Sequence, residues 1–164
     1  QWVLHNYTSP KKVTEETKKE EYLPGVEKNL DVNICPFIEE NPDTRFVVFF
    51  PPYSILYWND VLQENHLEAT MEEYRYLAQR LNAYENVEVY FFPDREDIIL
   101  DLNHYADYSH YHPDYNRFMA ECFADGTCLV AKNAGEGGKT IEEYLAHMRQ
   151  IVERFDFEEL LSRK

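Results

Sequence analysis

Two short runs rich in β-branched and aromatic residues constrain this chain most: Arg45-Phe-Val-Val-Phe-Phe50 and Val87-Glu-Val-Tyr-Phe-Phe92. The first shows no alternation that would expose one face, which is the pattern of a strand buried on both sides of a parallel sheet. Proline stops each run, Pro51-Pro52 after the first and Pro93 after the second, by removing ladder donors and restricting the backbone. Between them Leu67, Met71, Tyr74, Leu77 and Leu81 recur at helical spacing, with Glu68, Glu72, Glu73 and Arg80 on the opposite face. This predicts a helix over about 64–83 and hence a strand–helix–strand unit with parallel strands. Tyr53 and Ser54 then fall just beyond a strand's carboxyl end, where open α/β folds place ligand-binding groups.

The rest of the chain reads as helices and turns. Trp2-Val3-Leu4 is a short apolar start running into polar residues and Pro10. A charged, mostly exposed helical segment is expected at about 12–27, ending near Pro24-Gly25. Val26, Leu30, Ile34 and Ile38 continue at a spacing of four, and Pro36 either kinks that stripe or lies in the first turn of a helix beginning near Asn33. Pro113 starts a helix through roughly 123, and Asp125-Gly126 turns the chain before Thr127-Cys-Leu-Val130, a small strand or core filling. Gly135-Glu-Gly-Gly138 is a loop that lacks the first glycine of a phosphate-wrapping motif. Thr140-Ile-Glu-Glu143 has capping-box spacing and opens a helix to about 155 whose apolar face is Ile141, Tyr144, Leu145, Met148, Ile151, Val152 and Phe155.

A length of 164 residues suits one domain. The formal charge of −15, with no basic stripe, makes nucleic acid an unsuitable partner. No apolar run approaches the length of a transmembrane span. Cysteines at 35, 122 and 128 exclude a disulfide-dense framework but not a single bridge. Thirteen tyrosines supply rings and hydroxyls suited to a core edge or a polar pocket.

Chemistry concentrates between Asp94 and Asp114, where D-x-x-H-Y occurs twice: Asp101 with His104-Tyr105, and Asp107 with His110-Tyr111. Such a turn can set a carboxylate against one imidazole nitrogen. The carboxylate fixes the tautomer and leaves the other nitrogen to collect and return a proton. Taken singly, the motif is common on surfaces and in hydrogen-bonded turns.

Phe50-Pro-Pro-Tyr-Ser54, Phe91-Phe92 and Tyr105-Ala-Asp-Tyr-Ser-His-Tyr111, followed by a helix with Asn116, together resemble the distal half of SGNH-hydrolase-like proteins of bacterial cell envelopes, over residues 29–123. The resemblance implies an α/β fold, a three-layer flavodoxin-like parallel sheet with flanking helices, here without the early part of the domain, so that residues 1–164 form a single partial domain. It implies Asp107 and His110 as catalytic residues, in a parent protein that hydrolyses esters or transfers acyl groups on envelope polysaccharide. That parent would be membrane-anchored and extracytoplasmic. No cofactor is called for. The family's early G-D-S-like block with its serine nucleophile is not found, so the chain by itself is expected to be inactive and to contact the missing upstream portion or another chain.

Ser54 has a site-like position, more suited to capping or ligand contact than to attack. Two other readings stand. A non-catalytic carbohydrate-binding or structural domain would use Tyr53, Tyr105, Tyr108 and Tyr111, with Ser54, as ligand contacts. A divalent-metal hydrolase would draw on His110, His112, Asp94, Asp97, Asp101 and Asp107, but no complete spaced ligand set is present and no metal site is assigned.

Overall fold

The computed structural model describes residues 2–135 and 137–164, so Gln1 and Glu136, the latter within the glycine loop, lie outside the described residues. The two constraining runs form β1 (Phe46–Phe50) and β2 (Val87–Phe91), parallel and in register from Phe46 opposite Val87 to Phe50 opposite Phe91. They are joined by α4 (Ile55–Gln63) and α5 (Leu67–Asn82), and the ladder ends where the prolines withdraw their amides.

These are the only strands among the described residues, and most of the chain is helical. The three-layer flavodoxin-like sheet implied by the resemblance is therefore corrected to a two-stranded open sheet among helices. The physical reason is in the sequence itself, which supplies two strand-like runs where such a sheet needs several. Residues 127–130 add only an isolated antiparallel bridge of Leu129 to Tyr90, with Phe91 N donating to Cys128 O (3.0 Å) and Val130 N to Val89 O (2.8 Å). Between the two strands, Phe46 N donates to Asn86 O and Phe50 O accepts from Phe92 N. Because alternate residues of a parallel strand turn their polar groups to the same side, Val47 and Phe49 face away from β2 and leave an open edge.

Helices cover both faces of the strand pair. On one side Phe50, Val87, Val89 and Phe91 pack with α5 and with Tyr144, Leu145 and Met148 of α8 (Ile141–Arg154). On the other, Tyr90 and Phe92 pack with Met119 and Cys122 of α7 (Pro113–Asp125). The capping box forms as expected, Thr140 accepting from Glu143 N while Glu143 accepts from Thr140 N.

The N-terminal part departs further from expectation. Residues Trp2–Asn6 are a short helix, α1, that buries Val3 and Leu4. The charged helix begins only at Lys19 and does not stop at Pro24-Gly25: α2 (Lys19–Asn29) contains Pro24 and continues through a π-helical turn (Leu30–Ile34) into α3 (Cys35–Glu40). In that turn Cys35 N reaches back five residues to Leu30 O, and the widened turn accommodates Pro36 in the first turn of α3. The remaining helices are α6 (Glu96–Ile99) and α9 (Phe157–Ser162).

Candidate functional site

Beyond β2 the chain makes α6, then a 3-10 turn over Leu102–His104, and then a small hairpin in which Tyr105 pairs with Tyr111. Ala106 N donates to His110 O (2.8 Å), enclosing a turn headed by Asp107. Asp107 Oδ1 accepts the amides of Ser109 and His110, both at 2.8 Å, and Oδ2 lies 2.7 Å from His110 Nδ1. In such a turn a short acidic side chain takes the place of a backbone acceptor. Burial pushes the Asp107 carboxyl up, but the two amides together with the His110 and Ser109 side chains outweigh it and hold it down at about 2. The His110 side chain is 80% exposed, and no hydrogen bond reaches its Nε2 among the described residues.

The hairpin is stitched to the end of β1 at two points. Ser54, fully buried, donates both its amide (3.1 Å) and its hydroxyl (2.7 Å) to Tyr108 O. Tyr105 donates its hydroxyl to Pro52 O (2.7 Å), and burial pushes that hydroxyl's pKa upward. The Tyr53 and Tyr57 rings lie 4.7 Å apart, and Tyr57 is stacked parallel to Tyr108 at 6.4 Å. Tyr111 is partly buried, its pKa raised by burial and by Tyr53. Hence Tyr53, Ser54, Tyr105, Asp107, Tyr108, His110 and Tyr111 all meet at one rim, although Ser54 spends its hydroxyl on a carbonyl and Tyr105 is buried in the core.

The first D-x-x-H pair adopts the same contact: His104 Nδ1 lies 2.5 Å from Asp101 Oδ2, which also accepts from Tyr115 at 3.4 Å. Distance alone does not separate the two pairs; Asp101 accepts one backbone amide, Asn103 N at 3.3 Å, whereas Asp107 accepts two at 2.8 Å. His112 instead caps α7, accepting from Asp114 N. Among the described residues no three His, Cys, Asp or Glu side chains converge as a metal-binding group. No helix among them is long and apolar enough to cross a membrane.

A cavity of about 240 Å³ opens beside the hairpin tip, lined by Trp2, Asn6, Tyr7, Asp60, Asp107 and Tyr108. Its wall is ordered by Tyr7, which donates to Asp60 and accepts from the buried Asn59 amide at 2.7 Å. Nothing in the sequence signalled this wall, because α1 lies far from residue 107 along the chain.

A second arrangement was equally hidden. Asp94 follows Pro93 past the carboxyl end of β2, and its side chain is only 3% exposed. Its Oδ2 takes Lys139 Nζ (3.0 Å) and His147 Nδ1 (2.9 Å), while Oδ1 is buried without a hydrogen-bond partner among the described residues. No local motif could have joined Asp94 to His147 on α8; the one available signal was the position of Asp94 beyond a strand end.

No family model, curated protein or solved structure matches the chain. The SGNH-hydrolase-like assignment suggested by the motifs thus gains no support from relatives, and the mostly helical architecture runs against it.

Proposed function

We propose that the chain contributes an oriented acid/base pair, Asp107 and His110, to hydrolysis or transfer of an acyl group, with the nucleophile supplied from outside the described residues. On this reading the acyl group is carried by an envelope polysaccharide, and the parent protein is anchored outside the cytoplasm. The observation that carries the reading is the double hold on Asp107. Two backbone amides and the imidazole fix the carboxylate, and the carboxylate in turn directs His110 Nε2 outward, free to accept a proton. Ser109 Oγ is 3.4 Å from His110, but on the Nδ1 side that faces Asp107, so it is poorly placed to lose its proton to Nε2. The second reading, carbohydrate binding without catalysis, draws on the cavity beside Asp107, where Trp2 and Tyr108 present exposed rings next to hydrogen-bonding groups.

The test uses an activated phenyl ester, with and without a small alcohol standing in for the nucleophile. Ester hydrolysis by the chain alone should stay near the rate without protein. Alcoholysis should exceed its own protein-free rate, falling well short of the roughly 10²–10⁴-fold that a fully assembled acid/base site supplies. The excess should vanish in His110→Ala and persist in His104→Ala and His147→Ala. An excess that survives His110→Ala, or no excess in the unaltered chain, would remove the catalytic reading. A change in tryptophan fluorescence on adding oligosaccharide, abolished in Trp2→Phe, would then favour binding.

A further inference from the structure

We propose that Cys122 and Cys128 form a reversible dithiol–disulfide couple that takes a small-molecule disulfide as its oxidant. Cys122 lies in the last turns of α7, where Gly126, in the left-handed region at φ 81°, closes the helix by donating its amide to Cys122 O (2.9 Å). Leu129 N then bonds back to Gly126 O (3.2 Å), so the chain reverses and brings Cys128 against the same aromatic cluster that buries Cys122. Cys128 is itself a non-glycine residue at φ 67°, pinned there by its carbonyl, which accepts from Phe91 N. Such outliers persist where the surroundings over-determine them and cluster at functional positions.

The pair is asymmetric. Cys122 is buried, and its thiol is pushed up to about 12, first by burial and then by the neighbouring Cys128, which packs against the same cluster. Cys128 is partly exposed, and its Sγ lies 3.8 Å from Arg95 Nη1. Asp97 holds that guanidinium through two hydrogen bonds, and the Phe118 ring lies 4.5 Å from it. A cation fixed beside one sulfur stabilises negative charge on it as it attacks or leaves. Cys35 also has an arginine nearby, Arg80 at 3.9 Å, but no neighbouring thiol among the described residues.

The chemistry is two exchanges. Cys128 sulfur, its proton lost, attacks one sulfur of the oxidant; the oxidant's S–S bond breaks and one thiolate leaves, taking up that proton. Cys122 sulfur then attacks Cys128 Sγ, its proton passing to the second departing thiolate. The protein dithiol is oxidised to a disulfide, and the oxidant is reduced to two thiols.

The experiment incubates the full chain with excess oxidised glutathione and counts thiols after denaturation. The three free thiols should fall to one, non-reducing peptide mapping should link residue 122 to residue 128 with Cys35 left free, and dithiothreitol should restore all three. Cys122→Ser should stop at a stable glutathione adduct on Cys128, and Cys128→Ser should react several-fold more slowly than the unaltered chain. Retention of three thiols, a lasting adduct without a bridge in the unaltered chain, or a bridge through Cys35 would overturn the proposal. The peptide map of the unaltered chain decides the matter even if a variant fails to fold.

Discussion

At the scale of single residues, Ser54 and Asp107 hold the hairpin in different ways. Ser54 gives Tyr108 O two donors, and Ser54→Ala removes one of them while the amide stays. The expected loss is about 1 kcal/mol, read as a lower denaturant midpoint at unchanged slope. Asp107 brings a pH dependence whose sign follows from its lowered pKa. The ordinary carboxyl near 3.8 is held at about 2 in the folded chain, so its contribution is complete above about 4 and is lost as pH falls toward 2. The amides of Ser109 and His110 should therefore show faster, pH-dependent opening across that window in nuclear magnetic resonance, before the core unfolds. The D-x-x-H spacing made the carboxylate–imidazole contact legible, because three residues are enough to close such a turn. The role of Ser54 was not legible, since its acceptor is a backbone carbonyl fifty-four positions away.

At the scale of elements, local rules served where one interaction dominates. β1, β2, α5, α7 and α8 fall close to their expected bounds because their apolar periods, prolines and capping box agree with one another. They failed in the proline-containing helix, where tertiary packing of Leu23, Leu30, Cys35 and Ile38 overrides the stop signal at Pro24-Gly25. They also missed α4, whose Ile55, Leu56, Trp58, Asn59 and Val61 are buried together and leave little polar face to read. The two prolines should differ in cost. Pro24 lies inside α2 without an accommodating turn, so Pro24→Ala should stabilise the chain by about 1–2 kcal/mol. Pro36 follows the π-helical turn in the first turn of α3, where the lack of an N–H costs little, so Pro36→Ala should stay within about 0.5 kcal/mol. Thermal melts of the two variants test the ranking, and equal shifts would contradict it.

At the scale of the whole molecule, the open edge of β1 and the net charge act together. Phe49, on that edge, is 40% exposed, and an unpaired edge is a template for association. The charge of −15 opposes it by mutual repulsion at neutral pH. Light scattering should accordingly show association as pH is lowered toward the isoelectric point near 4.7, and Phe49→Lys should reduce it. A chain that stays monodisperse there, or a variant that associates equally, would show that the edge is not the contact. The two strands and the small extent of the sheet were both legible in the apolar runs, which number two; the expectation of further strands came instead from a resemblance in short motifs.

The two stitches between the hairpin and the end of β1 bear on portability. Asp107 and His110 are near neighbours, so the turn looks like a cassette that could be moved into another loop. Its tip, however, is seated by Ser54 and its base by the carbonyl of Pro52, both supplied by a strand end. A graft of residues 105–111 alone would carry the reactive pair without its mounting, and the smallest transferable unit is the hairpin together with the corner formed by residues 51–54.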